Sequence, residues 1–133
     1  MPYFSSQSRQ RLNSCDVRLQ NLFLDVVKYF DCSILCGYRG EADQNEAYDN
    51  GFSKVKFPHS PHNHLPSLAV DAAPYINGQP FLHDREALCY FAGYVQGIAR
   101  SMNVDIIWGG DWNENHLIRD ERFQDLYHFQ LKV

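Results

Sequence analysis

A chain of 133 residues with 44% hydrophobic and 14% aromatic content can bury a core as a single domain over residues 1–133, which argues against a disordered chain. Its formal net charge of -4, with Lys and Arg scattered, offers no basic field to a phosphate backbone, so a nucleic-acid partner is not expected. No apolar run approaches the roughly 18 residues of a membrane span, so membrane insertion is not expected either.

The amino-terminal stretch Met1 to Arg9 lacks a charged start followed by an apolar core, so it does not read as a secretory signal. A chain made without such a signal meets a reducing cytosol. In a reducing cytosol Cys15, Cys32, Cys36 and Cys89 read as thiols. Cys32 and Cys36 could share a strand face as a metal pair, but small buried hydrophobes are the plainer reading.

Leu19, Leu22, Phe23, Val26, Val27 and Phe30 repeat at helical spacing, which predicts an amphipathic helix over Ser14 to Phe30 with Ser14 as N-cap. Cys32 to Tyr38 is short, apolar and partly β-branched and reads as a strand with Arg39 at its end. Glu41 to Asn50 has helical composition, and Asn50-Gly51 supplies its stop. Gly51 to Pro66, with three prolines and three histidines, is a loop of a length that is usually functional. A strand over Leu68 to Ala73 follows, then a turn at Asn77-Gly78. Leu88, Phe91, Val95, Ile98 and Met102 stripe a second long helix over Asp84 to Met102. Val104 to Trp108 reads as a strand, and Asn113 to Glu121 as a polar loop. Tyr127 to Val133 alternates, with Tyr127, Phe129 and Leu131 on one side and His128, Gln130 and Lys132 on the other. Helices inserted between about four strands predict an α+β domain.

Two positions break these patterns. Ser60 to Asp71 packs two histidines and an aspartate into twelve residues, and Asp71 lies inside an apolar strand that would have to partner its carboxylate. His128 lies inside a second apolar strand. Two histidines and a carboxylate, with a fourth position left open, form the ligand set of a catalytic zinc. Such a site also needs a carboxylate to move protons, and Asp125, three residues before His128, is within reach of it.

The Ser-Pro-His-Asn-His segment followed by Ala69-Val70-Asp71 resembles the Ser-x-His and Ala-x-Asp motifs of the M15 zinc peptidases, most closely those of small phage endolysins that cleave L-alanyl-D-glutamate bonds. Gly37-Tyr38-Arg39 with Gln44, Trp108-Gly109-Gly110-Asp111-Trp112, and Asp125-Leu126-Tyr127-His128-Phe129 agree in order. The resemblance implies the hedgehog/DD-peptidase-like fold, a small antiparallel sheet with flanking helices and Zn2+ on one face. It implies Asp71 and His128 as metal ligands, Asp125 as the catalytic carboxylate and Arg39 as the group that steadies substrate or transition-state charge. The first histidine has two registers: His64, seven residues before Asp71, or His62, nine before it, in a longer variant that matches more of the residues and is favoured. Gln130 stands where other members often carry Glu, and Trp108 and Trp112 read as pocket wall or core.

The activity so implied is hydrolysis of the L-alanyl-D-glutamate bond in a peptidoglycan stem peptide; the protein is expected to be a monomer, made in a host cytoplasm without a signal peptide and acting on the cell wall after release. The alternatives are a D-alanyl-D-alanine carboxypeptidase or dipeptidase, and a non-catalytic zinc-binding module of the same fold.

Overall fold

The computed structural model describes residues 2–133; Met1, the first residue of the stretch read for an export signal, lies outside the described residues. In chain order the elements are α1 (Ser6–Asn13), α2 (Val17–Tyr29), β1 (Cys32–Cys36), α3 (Glu41–Asp49), a 3₁₀ turn (Pro61–Asn63), β2 (Ala69–Ile76), β3 (Gln79–Pro80), α4 (Arg85–Ser101), β4 (Ile106–Trp108) and β5 (His128–Leu131). The fold is α+β, with an antiparallel sheet in the order β1-β2-β5-β4 and β3 paired to the far end of β2.

Alternation along the strands separates two chemistries. Val70 and Ala72 of β2 and Phe129 and Leu131 of β5 join the apolar core with Leu19, Phe23 and Val26 of α2 and Phe91 and Val95 of α4. Phe129 packs edge-on against Phe23 (centroids 5.6 Å apart) and Phe91 (6.2 Å). Because side-chain direction has a period of two, Asp71, His128 and Gln130 are left for the opposite face of the sheet.

The first long helix starts later than its spacing suggests. Its N-cap is Asp16, whose carboxylate accepts from the Arg18 N–H (2.9 Å), and Ser14 serves elsewhere. Ser14 closes α1 in the right-handed helical region, and Cys15 then forms an isolated bridge to Ser67 through two backbone bonds, each 2.8 Å, so tertiary pairing interrupts the local helical pattern. Helix α1 was not foreseen, since it buries only Ser8 and Leu12 and shows no apolar stripe. Strand β2 runs three residues beyond Ala73, because Asn77 (φ 55°) and Gly78 (φ 83°) make a tight hairpin that keeps Tyr75 and Ile76 paired with β3.

All four cysteines are free, with Cys15 and Cys32 buried in the core and Cys36 and Cys89 partly exposed. Among the described residues the one group of three or more His, Cys, Asp or Glu placed to hold an ion contains no cysteine. Burial pushes the Cys15 thiol up to about 12, with the neighbouring Cys36 adding to the rise, and burial raises Cys32 as well. A thiol reagent at pH 8 should therefore modify Cys36 and Cys89 in the native protein, and Cys15 and Cys32 only after denaturation, as peptide mass mapping would read. Since the fold retains thiol protons that the unfolded chain releases above about pH 9, stability should fall as pH rises past that value.

Candidate active site

Antiparallel pairing sets Asp71 directly opposite His128, and on the other side of β2 it sets Asp71 opposite Cys36. His62 arrives from the 3₁₀ turn, where Pro61 opens the turn and Ser60 and Asn63 form a capping box. The Ser60 hydroxyl accepts from the His62 N–H (3.2 Å), and Asn63 Oδ1 from the Ser60 N–H (3.0 Å). The three side chains converge: His62 Nε2 lies 3.2 Å from Asp71 Oδ1 and 3.2 Å from His128 Nδ1, and His128 Nδ1 lies 3.3 Å from Asp71 Oδ1. His64 and His59 are exposed and stand outside this cluster.

Each imidazole is oriented from behind. His62 Nδ1 lies 2.8 Å from the Gly37 carbonyl oxygen and His128 Nε2 lies 2.7 Å from Gln130 Oε1; both oxygens can only accept, so those nitrogens carry protons. The inner nitrogens are then the ones turned to the carboxylate. The Asp71 charge and hydrogen bond hold His62 well above the ordinary histidine value although its burial acts the other way. Likewise the two imidazoles hold the Asp71 carboxyl far below the usual range against the effect of burial. A cluster that draws positive charge so strongly, with two oriented imidazoles and one carboxylate and its donor atoms within 4.8 Å of one another, could hold a metal ion.

Two glycines permit the geometry. A side-chain carbon on Gly37 would stand 2.3 Å from the Arg11 carbonyl oxygen and 2.4 Å from Ser14 Oγ, and on Gly109 it would stand 2.2 Å from the Asp125 carbonyl oxygen. Gly109 therefore lets the chain before β5 fold close, with the Asp125 N–H donating to the Gly109 carbonyl (2.8 Å). Asp125 Oδ2 comes to 4.0 Å from His128 Nδ1. Burial, and then repulsion from Asp71, push its carboxyl up to about 6, only partly offset by His128, His62 and Arg39.

Arg39 donates to Gln44 Oε1 (3.1 Å) and pairs with Asp71 Oδ2 (3.4 Å). Gln44, fully buried, also donates to Ser53 Oγ (2.9 Å) and the Val55 carbonyl (2.8 Å), tying α3 to the long loop. The Asn63 amide completes this network on the Arg39 carbonyl (2.9 Å) and on Gln44 Oε1 (3.2 Å). Asn63 and Ser67, which is fully buried and donates to the Ala69 carbonyl (2.6 Å), were not singled out as site-supporting residues in the sequence. A Ser-x-x-Asn spacing across a proline was the available signal for Asn63. Trp108 is core, while Trp112 borders the site with its ring 5.4 Å from that of His128 and stacks on Phe123.

Two cavities adjoin the cluster, and Arg39, Phe52, Phe123 and Asp125 line both. One, about 630 Å³, extends past Leu35 and Tyr127 toward α4. The other, about 280 Å³, runs along the loop residues Ser53 to His62 and past Trp112. The long loop is thus a rim of a groove that passes the cluster on both sides.

A family model described as phage L-alanyl-D-glutamate peptidase matches residues 1–132, nearly the whole chain. The chain belongs to the phage L-alanyl-D-glutamate peptidase family. An L-alanyl-D-glutamate peptidase of Escherichia phage T5 is 28% identical over 120 residues, covering 89% of this chain and 87% of the relative. The crystal structure of the Serratia marcescens L-Ala D-Glu endopeptidase ChiX superposes with a TM-score of 0.76 at 24% identity, over 98% of this chain and 91% of the other, which is a likeness of fold. The family's fold is thus matched along the chain rather than in one motif.

Among the described residues His62, not His64, stands in the cluster, so after incubation with zinc as a probe ion and dialysis, His62→Ala should retain little metal and His64→Ala as much as the unsubstituted protein, by elemental analysis. Gly37→Ala should both destabilise the fold and weaken metal retention, since the carbonyl that orients His62 must move; thermal melting with and without added zinc reads the two effects.

Proposed function

We propose that this protein is a zinc peptidase that hydrolyses the L-alanyl-D-glutamate bond of peptidoglycan stem peptides. The observation that carries this is the convergence of His62, Asp71 and His128 beside Asp125 and Arg39 in a groove, within a chain of this peptidase family. His62 Nε2, Asp71 Oδ1 and His128 Nδ1 would hold the ion. Zinc bound there supplies Lewis acidity, polarising the scissile carbonyl and lowering the pKa of a water toward about 7.

The remaining steps belong to the chain's own groups. Asp125 Oδ2 takes the proton of the attacking water and delivers it to the leaving amine, a role for which its place 4.0 Å from His128 Nδ1 at the edge of the ligand cluster suits it. Arg39, fixed by Gln44 and Asp71, places a permanent charge where the carbonyl oxygen becomes negative, a contribution of about 3 kcal/mol per donor in comparable sites. Trp112, Phe123 and Phe52 supply aromatic walls to the groove beside these groups.

Cavities on both sides of Arg39 and Asp125 support an endopeptidase, which must admit chain on either side of the bond, over a carboxypeptidase, which needs a closed end. The presence of Asp125 and Arg39 beside the ligand cluster favours catalysis over a zinc-binding module without turnover. In this reading the protein acts as a monomer, made in the host cytoplasm and released to the wall; among the described residues no helix is long and apolar enough to cross a membrane.

Digestion of purified sacculi followed by mass spectrometry of the muropeptides should show new peptides beginning with D-glutamate. Release of terminal D-alanine alone, or no cleavage by zinc-loaded protein, would sink the reading. Asp125→Ala should keep its zinc and its melting temperature and lose about 10²- to 10⁴-fold in turnover on the same sacculi.

A further inference from the structure

A glutamyl residue has two carboxyl groups, and a peptide continues through only one of them. The residue on the leaving side of an L-alanyl-D-glutamate bond therefore presents a free carboxylate within a few bonds of the scissile nitrogen, unless it is amidated. Resting on the peptidase reading above, we propose that Arg85 is the specificity-determining residue that binds this carboxylate.

Arg85 opens α4 and lines the 630 Å³ cavity that also contains Arg39, Asp71 and Asp125. Its side chain is exposed, and among the described residues it forms no ion pair. Its sequence neighbour Asp84 is engaged instead as the α4 N-cap, accepting from the Ala87 N–H (3.1 Å). Among the described residues the one side-chain hydrogen bond of Arg85 is a donation from Nη1 to Gln124 Oε1, 2.6 Å long. Gln124 is itself oriented, because its Nε2 donates to the Ile118 carbonyl (2.9 Å) and the Glu121 carbonyl (3.4 Å), which leaves Oε1 as the acceptor for the guanidinium.

That arrangement fixes a guanidinium by one of its five N–H donors and leaves a planar edge for a carboxylate. Gln124 also precedes Asp125, the residue assigned to protonate the leaving amine, so the anchor of Arg85 and that carboxylate are consecutive residues lining one cavity. Leu35, Leu82, Leu88 and Tyr127 line the same cavity and suit the methylene carbons of a glutamyl side chain. The smaller cavity has a cation as well, Lys54, but its ammonium sits 5.2 Å over the Phe123 ring and is already engaged there.

The test uses two synthetic stem peptides that differ only in the free carboxylate of the D-glutamyl residue, which is intact in one and converted to an amide in the other. Zinc-loaded wild type should favour the carboxylate peptide about tenfold in kcat/KM, mainly through KM. Arg85→Ala should lose about tenfold on the carboxylate peptide and little on the amide, and Arg85→Lys should recover part of the preference. Equal losses on both peptides, or an undiminished preference in Arg85→Ala, would overturn the assignment. A wild type that cleaves both peptides equally overturns this inference alone, whereas one that cleaves neither overturns the peptidase reading with it.

Discussion

The antiparallel register of β2 against β5 is the constraint on which the rest depends. It sets Val70 opposite Phe129 and Asp71 opposite His128, so the same few residues close the aromatic core on one face and present a carboxylate and an imidazole on the other. A slip of β2 by one residue would turn Asp71 into the layer occupied by Phe23 and Phe91, away from His62 and His128 and with no partner for its charge. The aromatic packing that stabilises the sheet therefore also enforces the alignment of the two site residues it contributes.

Around this pair the site is assembled from segments that have little regular structure. The 3₁₀ turn brings His62 in, and the Gly37 carbonyl at the end of β1 orients it. Gln44 and Asn63 then bind Arg39 to α3, to the long loop and to the His62 turn at once. Buried polar groups of this kind are tolerated because each has partners; Gln44, fully buried, uses both its amide nitrogen and its oxygen. The consequence is a rigid arrangement of Arg39, Asp71 and His62 on what would otherwise be a loop-rich surface.

Local pattern was a good guide wherever one face of an element meets the core. The stripes of α2 and α4 and the alternation of β5 were legible, because burial imposes the same period on sequence and structure. It misled where tertiary bonds replace local ones: the helical pattern is broken at Cys15 by its bridge to Ser67, and α1 buries two residues with no stripe to announce them. Asn63 and Ser67 escaped notice as site-supporting residues for a related reason, since a polar residue in a loop carries no periodicity that marks it as buried.

By itself the sequence determined which residue types are available for chemistry and which strands they interrupt: Asp71 and His128 inside apolar runs, Asp125 one short turn before His128, and the ordered motifs that mark the family. It favoured His62 over His64 as the first histidine on the longer motif alone, since both precede Asp71 within one irregular segment and no periodicity separates them. Only the tertiary structure decided which of them joins the cluster, since the choice depends on the capping box of Ser60 and Asn63 and on a carbonyl 25 residues away at Gly37. The placement of Arg85 and Gln124 beside Asp125 was likewise beyond the sequence, because 39 residues separate Arg85 from Gln124 and nothing but the folded path of the chain brings them into contact.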